Sequence, residues 1–308
     1  MIEVERLCKS YGSLRAVNDI SFQVNEGELF GFVGPNGAGK TTTLSMISGL
    51  LKPDSGRILA DEFDVWQTPI AAKRIMGLVP QDLAIYEELT ARENLRFWGG
   101  LYGLAHAELK ANIEQWLDRV GLSDRANDPV SKYSGGMKRR LNLAIGLVHN
   151  PKIVLLDEPT VGIDPQARNN VLNLIREIAQ SGTTILFTTH HLEEAEALCQ
   201  RIAIMDHGKI LATGSVDELA KVVGDGDIVS IHGQFTAIHF KTALQNEPIS
   251  YVNLTDGTAI LNLPPDGFHV AALVQKLSEA GVEIADLSVQ KPTLENVFLK
   301  LTGRELRD

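Results

Sequence analysis

The stretch LFGFVGPNGAGKTTTLSMISGL, residues 29–50, decides the fold of this chain. It opens with the apolar run Leu29 to Val33, which is typical of a short buried strand, and apolar residues at helical spacing follow from Leu44 onward. Between them, Gly34 to Thr41 match the pattern G-x-x-x-x-G-K-S/T at every fixed position. A strand, a glycine-rich loop and a helix in this order predict an α/β protein with a phosphate-binding loop. A chance glycine-rich turn would lack these flanking elements.

The residue types of the loop indicate its chemistry. Glycines let successive backbone amides point at phosphates, Lys40 adds a positive charge, and the hydroxyl of Thr41 suits Mg²⁺. The following helix directs the positive end of its dipole at the same place. The sequence therefore predicts a nucleotide site formed by Gly34, Pro35, Asn36, Gly37, Ala38, Gly39, Lys40, Thr41 and Thr42.

A second segment, KIVLLDEPTVGID at 152–164, carries acidic residues where such a site needs them. The apolar run Ile153 to Leu156 is typical of a central parallel strand, and Asp157 and Glu158 stand at its carboxyl end. Open α/β sheets bind ligands at this edge. One carboxylate can hold Mg²⁺ through water and the next can polarise an attacking water. The alternative is an acidic pair that merely caps a turn.

Two further strands end in side chains that suit a phosphate site. The segment TTILFTTHH ends in His190 and His191, and the position favours a γ-phosphate contact. Alternate residues of a strand face opposite ways, so the residues alone do not choose between the two histidines. Gln81 follows the apolar strand in RIMGLVPQD, where its amide could reach the metal and the attacking water. A turn-forming glutamine is the equal alternative.

The segment SKYSGGMKRR, residues 131–140, resembles a second anion loop. Small residues open a predicted helix, which suits the approach of backbone amides to an anion. The basic run Lys138 to Arg140 is predicted to be a solvated helix face, with phosphate neutralisation as the alternative. The sequence thus raises the question of why one domain would carry two such loops.

Composition limits the classes of partner and compartment. The 308 residues suit about two domains. A net charge of −10, from 39 acidic and 29 basic residues, argues against a nucleic-acid partner. Cys8 and Cys199 lack metal-ligand spacing and fit a reduced cytoplasmic setting. No apolar stretch approaches the roughly 18 residues of a membrane span, and the start lacks a signal peptide, so membrane contact is expected through a partner.

These segments, in this order, resemble the ATP-binding cassette (ABC) ATPase family over roughly residues 1 to 220. The resemblance implies a P-loop NTPase fold with a mostly parallel core sheet, an N-terminal antiparallel β part and a helical subdomain at about 82–150, within a cassette domain at 1–223. The matching segments are GPNGAGKT (34–41), Gln81, YSGGM (133–137), IVLLDEP (153–159), VGID (161–164) and TTH (188–190).

The resemblance also implies a role for each matching residue. ATP and Mg²⁺ are the implied ligands, and His191 becomes incidental beside the switch histidine His190. Tyr11 matches the aromatic residue that stacks on adenine, with simple strand packing as the alternative. The implied catalytic residues are Glu158, His190 and Gln81, the implied metal site is Thr41, Gln81 and Asp157, and the implied dimer-loop residue is Asp164.

In this family the second loop serves another subunit, which answers the question of the two loops. Two cassettes pack head to tail, as a homodimer or a heterodimer, and Ser134, Gly135 and Gly136 of one grip the γ-phosphate held by Lys40 of the other. The sequence departs from the usual LSGGQ at both ends, with Tyr133 and Met137. These edge positions do not supply the phosphate contacts, and they indicate a subgroup.

The remaining residues, 227–308, predict a small α+β accessory domain with a hairpin turn at Asp256-Gly257. Its close, QKPTLENVFLKLTGRELRD, resembles that of drug-, antibiotic- and lipid-exporter ATPases, which work with separate integral membrane permeases of the ABC-2 class. The implied location is the cytoplasmic face of a prokaryotic inner membrane. Trp98 and Tyr102 are either core residues or part of a groove for a permease helix. The competing function is a soluble ABC ATPase that acts as a regulatory or binding module without transport.

Overall fold

The computed structural model describes residues 1–224, 226–264 and 269–303, and the chain divides into two compact units, residues 1–211 and 212–308. Residues 304–308 of the predicted accessory domain, and Asp225 beside its predicted start, lie outside the described residues. The described strands are β1 (Ile2–Tyr11), β2 (Leu14–Val24), β3 (Leu29–Val33), β4 (Ser55–Ala60), β5 (Phe63–Asp64), β6 (Met76–Val79), β7 (Ile153–Asp157), β8 (Thr184–Thr189), β9 (Arg201–Asp206), β10 (Lys209–Gly214), β11 (Asp227–Gln234), β12 (Ser250–Thr255), β13 (Thr258–Leu263) and β14 (Glu283–Gln290). The described α-helices are α1 (Lys40–Ile47), α2 (Pro69–Ile75), α3 (Ala91–Leu101), α4 (His106–Arg119), α5 (Gly135–Leu147), α6 (Pro165–Gln180), α7 (Leu192–Leu198), α8 (Val216–Val223), α9 (Ala237–Ala243), α10 (Val270–Glu279) and α11 (Leu294–Thr302).

A six-stranded sheet in the order β10-β9-β3-β8-β7-β6 forms the centre of the first unit. The pairs β3–β8, β3–β9, β7–β8 and β6–β7 are parallel, so the predicted mostly parallel core is confirmed. In the register, Val33 lies opposite Thr189 and Asp157 lies opposite Thr188. The carboxyl ends of β3, β7 and β8 therefore meet at one edge, directly before the phosphate loop, Glu158 and His190.

A second sheet, in the order β2-β1-β4-β5, forms the predicted N-terminal antiparallel part. It shares one apolar core with the parallel sheet and α1. The Phe22 ring of β2 stacks on Phe30 and Phe32 of β3, with centroids 5.8 and 5.2 Å apart. Burial of this apolar surface is the main force that holds the two sheets together.

The predicted helical subdomain lies between β6 and β7. Residues 82–150 contain α3, α4, α5, two short 3₁₀ turns (Ser123–Arg125 and Val130–Lys132) and one isolated bridge. Thr90 caps α3, because its side chain accepts a hydrogen bond from the Glu93 amide at 3.2 Å while the Glu93 carboxylate accepts one from the Thr90 amide at 2.8 Å. This capping box starts α3 at a defined residue.

The second unit contains the antiparallel sheet β12-β13-β11-β14. Residues of α9 and α10, such as Phe240 and Leu273, share its apolar core. Gly257, with φ of 77°, closes the predicted hairpin between β12 and β13. In this unit α8 packs against α11 and buries Leu219, and the domain boundary expected at 223–227 stays a prediction. No helix among the described residues is both long and apolar enough to cross a membrane.

Candidate nucleotide site

The phosphate loop is closely packed against its own chain. Gly39, which precedes α1, has φ of 109°, and a Cβ atom there would lie 2.4 Å from the carbonyl oxygen of Ala16. A Cβ on Gly34 would lie 2.0 Å from the carbonyl oxygen of Met205. Both glycines are therefore required by packing, since any side chain would displace backbone. This explains the fixed glycines of the sequence pattern.

Lys40 lies at the centre of the site with only 4% of its surface exposed. Its ammonium donates hydrogen bonds to the carbonyl oxygens of Gly34 at 2.7 Å and Pro35 at 3.2 Å, and it pairs with Glu158 Oε1 at 3.1 Å. Burial lowers the pKa of Lys40, and the Glu158 carboxylate opposes this shift. The ammonium is thus held where phosphate oxygens would replace backbone carbonyls as its partners.

Asp157 and Thr41 form an oxygen pair that suits magnesium. The Thr41 hydroxyl donates to Asp157 Oδ1 at 3.2 Å, and the Thr188 hydroxyl donates to the same oxygen at 2.7 Å. Burial raises the pKa of Asp157, against the effect of these hydroxyls. In the described part of the chain no three His, Cys, Asp or Glu side chains cluster as a metal site. Mg²⁺ commonly takes one or two protein oxygens and completes its shell with phosphate and water, so Thr41 and Asp157 are candidate ligands.

Glu158 joins the lysine to a histidine. Its second oxygen, Oε2, lies 2.8 Å from His190 Nδ1, and only 3% of the residue is exposed. Its φ is 45°, a left-handed conformation that costs a non-glycine residue roughly 1–2 kcal/mol. The Glu158 amide donates to the carbonyl and hydroxyl oxygens of Thr188, both at 3.1 Å, which holds this strained turn. Such strain concentrates at functional sites.

The structure separates the two histidines that the sequence left equal. His190 contacts Glu158, whereas the ring of His191 lies against His190 with centroids 4.1 Å apart. Burial and the neighbouring His190 lower the pKa of His191. His191 therefore lies against the side of the His190 ring, and His190 is the histidine whose ring nitrogen contacts Glu158.

Gln81 lies at the same edge of the sheet. Val79 pairs with Leu156 in the β6–β7 register, so Gln81 and Glu158 each follow this pair by two residues. The Gln81 side chain is exposed there, and its backbone carbonyl accepts a hydrogen bond from Arg139. The register brings the ends of β6 and β7 side by side, which sequence spacing could not do, and the role of Gln81 stays a prediction.

The prediction of a solvated basic face on α5 is wrong for Arg139. Only 5% of Arg139 is exposed, and its guanidinium donates to the carbonyl oxygens of Gln81 at 2.8 Å and Val161 at 2.9 Å. It therefore ties α5 to the loops after β6 and β7. Helical spacing could have indicated this burial, because Arg139 lies four residues before the buried Leu143 and therefore on the same face of α5. Lys138, by contrast, pairs with Glu87 at 2.6 Å.

The second anion loop faces outward. Ser134 caps α5 and accepts a hydrogen bond from the Met137 amide at 3.3 Å, and both Ser134 and Gly135 are exposed. A Cβ atom on Gly136 would lie 2.7 Å from Ala167 Cβ, so this glycine lets α5 approach α6 closely. Tyr133 is buried, and its hydroxyl donates to the Arg125 carbonyl oxygen at 2.7 Å. The departure from LSGGQ at Tyr133 is therefore a packing feature.

Asp164 and Tyr11 are the remaining residues for which the resemblance implies a role. Asp164 caps α6 by accepting hydrogen bonds from the amides of Gln166 at 3.1 Å and Ala167 at 3.0 Å. Tyr11 ends β1, in the hairpin whose next strand places Ala16 against the phosphate loop. It is 51% exposed, which leaves part of the ring available to a ligand, and adenine stacking stays a prediction.

A groove of about 740 Å³ opens elsewhere on the first unit, between α2, α3 and β6. Its lining includes Trp98 and Tyr102 together with the strongly exposed Leu50, Ile70 and Leu101. Tyr102 also stacks on His149, with centroids 3.5 Å apart, and burial lowers the pKa of His149 to about 4. Trp98 and Tyr102 are therefore partly packed and partly groove lining.

A glycine loop before a helix, a buried lysine and paired carboxylates at a parallel sheet edge define a P-loop nucleotide-binding ATPase. The family model described as ABC transporter matches residues 17–161. The linearmycin resistance ATP-binding protein LnrL of Bacillus subtilis is 41% identical over 313 residues, which cover 100% of both chains. A daunorubicin resistance ATP-binding protein of Streptomyces coeruleorubidus is 38% identical, covering 99% of this chain and 97% of that protein.

Solved structures agree with these relatives. An ATP-binding subunit of an ABC transporter superposes with a TM-score of 0.66 and 32% identity, covering 72% of this chain and 92% of that chain. A dimeric cassette bound to ADP and Pi superposes with a TM-score of 0.64 and 25% identity, covering 70% and 98%. The chain belongs to the ABC transporter family, as an ATP-binding and ATP-hydrolysing subunit of the exporter type.

Proposed function

We propose that this subunit drives export through a separate membrane permease of the ABC-2 class, from the cytoplasmic face of a prokaryotic inner membrane. The observation that carries the proposal is the extent of the similarity. The solved cassettes cover 72% or less of this chain in the two comparisons above, whereas the resistance proteins cover 99–100% of it, including the second unit. A Nod factor export ATP-binding protein of Paraburkholderia xenovorans likewise covers 100% of this chain at 38% identity. These relatives favour export over a soluble regulatory module.

Within one subunit, the predicted site residues act on ATP as follows. The ammonium of Lys40 exchanges the carbonyls of Gly34 and Pro35 for phosphate oxygens, which releases Glu158 Oε1 from its ion pair. Glu158 then accepts a proton from the attacking water, and His190 holds its other oxygen. Mg²⁺, when bound, neutralises phosphate charge, and Thr41, Asp157 and Gln81 are the residues that would hold it. Tyr11 stacks on the adenine.

Across the dimer, each ATP is bound by two chains. Ser134, Gly135 and Gly136 of one subunit contact the γ-phosphate held by Lys40 of the other, while Asp164 communicates between them. Exposure of Ser134 and Gly135 supports this arrangement. The dimer contains either two copies of this chain or this chain and a second cassette. The net charge of −10 supports the absence of a nucleic-acid partner.

The groove lined by Trp98 and Tyr102 supports permease docking. Several large apolar side chains are exposed there together, for example Leu101 at 68%, and a patch of this kind typically marks a protein interface. The indole Nε1 of Trp98 is buried without a hydrogen-bond partner among the described residues. A permease helix with an apolar face and one acceptor would satisfy both features.

Co-purification with a candidate permease of about six apolar spans tests the proposal. Leu101→Asp places a charge in the groove and should abolish both co-purification and stimulation of ATPase activity by the permease, while basal ATPase activity remains. Ile238→Asp is the matched control, because Ile238 is a comparable aliphatic residue with 81% exposure in the second unit. Basal activity that no permease stimulates, together with unchanged binding by Leu101→Asp, would favour the soluble regulatory module instead.

A further inference from the structure

Glu194, in the first turn of α7, is a buried carboxylate to which the site described above assigns no role. Only 5% of the residue is exposed, and a buried charge of this kind is retained only when it is bonded. Its Oε2 accepts hydrogen bonds from the hydroxyls of Thr160 at 2.9 Å and Thr189 at 3.0 Å. A single oxygen atom therefore joins the loop after β7 to the end of β8.

The two threonines adjoin the two residues that contact each other across the site. Thr160 follows Glu158 by two residues, Thr189 directly precedes His190, and both threonines are fully buried. The Glu158–His190 contact of 2.8 Å depends on how these loops are placed relative to each other. Because the backbone of Glu158 is strained, its turn must be held from outside. The two hydroxyl contacts of Glu194 do this.

The other oxygen of Glu194 faces α6. Oε1 lies 3.6 Å from Arg168 Nε, and in the described part of the chain neither atom has a hydrogen-bond partner. Arg168 lies in the first turn of α6, where its amide donates to the Asp164 carbonyl oxygen at 2.9 Å. The two atoms thus form an ion pair that is too long for a hydrogen bond, and a shorter approach of Arg168 would add a charge-assisted hydrogen bond to this buried oxygen.

We propose that Glu194 is a positioning residue that couples α6, capped by Asp164, to the Glu158–His190 pair. The inference rests on the roles proposed above for Glu158 and His190. When a partner subunit displaces the loop before α6, Arg168 reaches Glu194 Oε1 and fixes its carboxylate. Thr160 and Thr189 then transmit this position to the loops that carry the base and the switch histidine. Engagement of the second subunit would thus align the hydrolytic pair.

Isosteric removal of the hydroxyls tests the coupling. Thr160→Val and Thr189→Val keep the side-chain shape and remove the hydrogen bonds to Glu194, so kcat should fall on the order of tenfold while KM for ATP changes by less than about twofold. Thr160→Ser and Thr189→Ser restore the hydroxyl and should return kcat to about the parental value. Unchanged kcat in both valine variants would overturn the proposal, as would failure of serine to rescue it.

A double-mutant cycle tests the α6 contact. Glu194→Gln and Arg168→Gln should each lower kcat, and the double variant should be no worse than the more damaged single variant, because both break one link. Glu193→Gln is the control, since it makes the same change on the exposed side of the same helix and should leave kcat unchanged. Additive losses would overturn the coupling through Arg168. If Glu194→Gln lowers the melting temperature, its lower kcat could reflect unfolding, and the threonine variants then serve as the test of the positioning role.

Two reference variants separate this proposal from the proposed site. Glu158→Gln and His190→Ala are assayed on the same preparation. If both hydrolyse ATP at the parental rate, the proposed roles of these residues are wrong. If both are inactive while Thr160→Val and Thr189→Val keep parental kcat, the site stands and the positioning role of Glu194 is overturned.

Discussion

The phosphate loop (34–41) and the second anion loop (133–137, here called the signature loop) both bring small residues to the start of a helix, but only the first is packed against its own chain. Lys40 is buried among carbonyl oxygens and Glu158, and Gly39 leaves no room for a Cβ atom. Ser134 and Gly135 are exposed, and nothing lies within 4 Å of a Cβ built on Gly135. A closed loop can bind a ligand within one chain, whereas an open one needs its ligand brought to it. This difference supports the proposal that two chains share each ATP.

The largest expected effect is at Glu158, which pairs with Lys40 of the phosphate loop and is the proposed catalytic base. Glu158→Gln removes the proposed base and should lower turnover roughly 10²–10⁴-fold while ATP binding persists. The uncleaved ATP should then trap a dimer through the open loop of the partner. ATPase assays and size-exclusion chromatography with ATP and Mg²⁺ measure both effects. A monomeric variant, or one with the parental rate, would contradict the role of Glu158.

The next effect separates the two loops by nucleotide affinity. Lys40→Ala removes a charged contact and should weaken ATP binding by the monomer roughly 10–100-fold. Ser134→Arg should bind ATP as a monomer with parental affinity and lose only ATP-dependent dimerisation and turnover. Nucleotide titration on dilute protein measures this. If Ser134→Arg lost monomer affinity as severely as Lys40→Ala, the signature loop would belong to the site of its own subunit, and the comparison would fail.

The sequence predicts the phosphate loop well, because that loop is packed against its own chain, but it does not predict the arrangement of the strands around it. The phosphate loop produces a local sequence pattern, because the packing at Gly34 and Gly39 requires glycine at fixed spacing. The strand before it and the helix after it give periodic patterns that support the same prediction. The strand order, with β3 between β8 and β9, depends on long-range pairing and has no local signal.

Three other features also lay beyond the sequence. The left-handed backbone of Glu158 is held by hydrogen bonds that its amide donates to Thr188 of the neighbouring strand. The burial of Arg139 and the convergence of Thr160 and Thr189 on Glu194 arise where separate loops meet. Arg139 was predicted to be a surface residue from its type alone, because most arginines are exposed. Contacts between distant segments are what the structure adds.

Glycine substitutions sharpen the comparison through stability. Gly39→Ala forces a side chain into a left-handed position against the Ala16 carbonyl, so the free energy of unfolding should fall by at least about 2 kcal/mol. Gly135→Ala meets open space and should change the free energy of unfolding by less than about 1 kcal/mol while impairing ATP-dependent dimerisation. Chemical denaturation of each variant gives the values. Equal destabilisation would mean that the signature loop is packed as closely as the phosphate loop.

The smallest effect concerns the link between the open loop and its own chain. Arg139 lies one turn into α5 and donates hydrogen bonds to the carbonyl oxygens of Gln81 and Val161. The helix that Ser134 caps is therefore anchored to the loops after β6 and β7. Arg139→Lys keeps the charge and can reach only one of the two carbonyls, because an ammonium lacks the forked geometry of a guanidinium. The loss of one hydrogen bond should lower the free energy of unfolding by about 1 kcal/mol. Lys138→Arg, at the adjacent half-buried position that pairs with Glu87, is the control and should have no effect. If Arg139→Lys leaves monomer ATP affinity unchanged but slows turnover, the hydrogen bonds of Arg139 position the signature loop for the partner subunit. A loss of monomer ATP affinity would instead show that the two loops form one site within a single subunit.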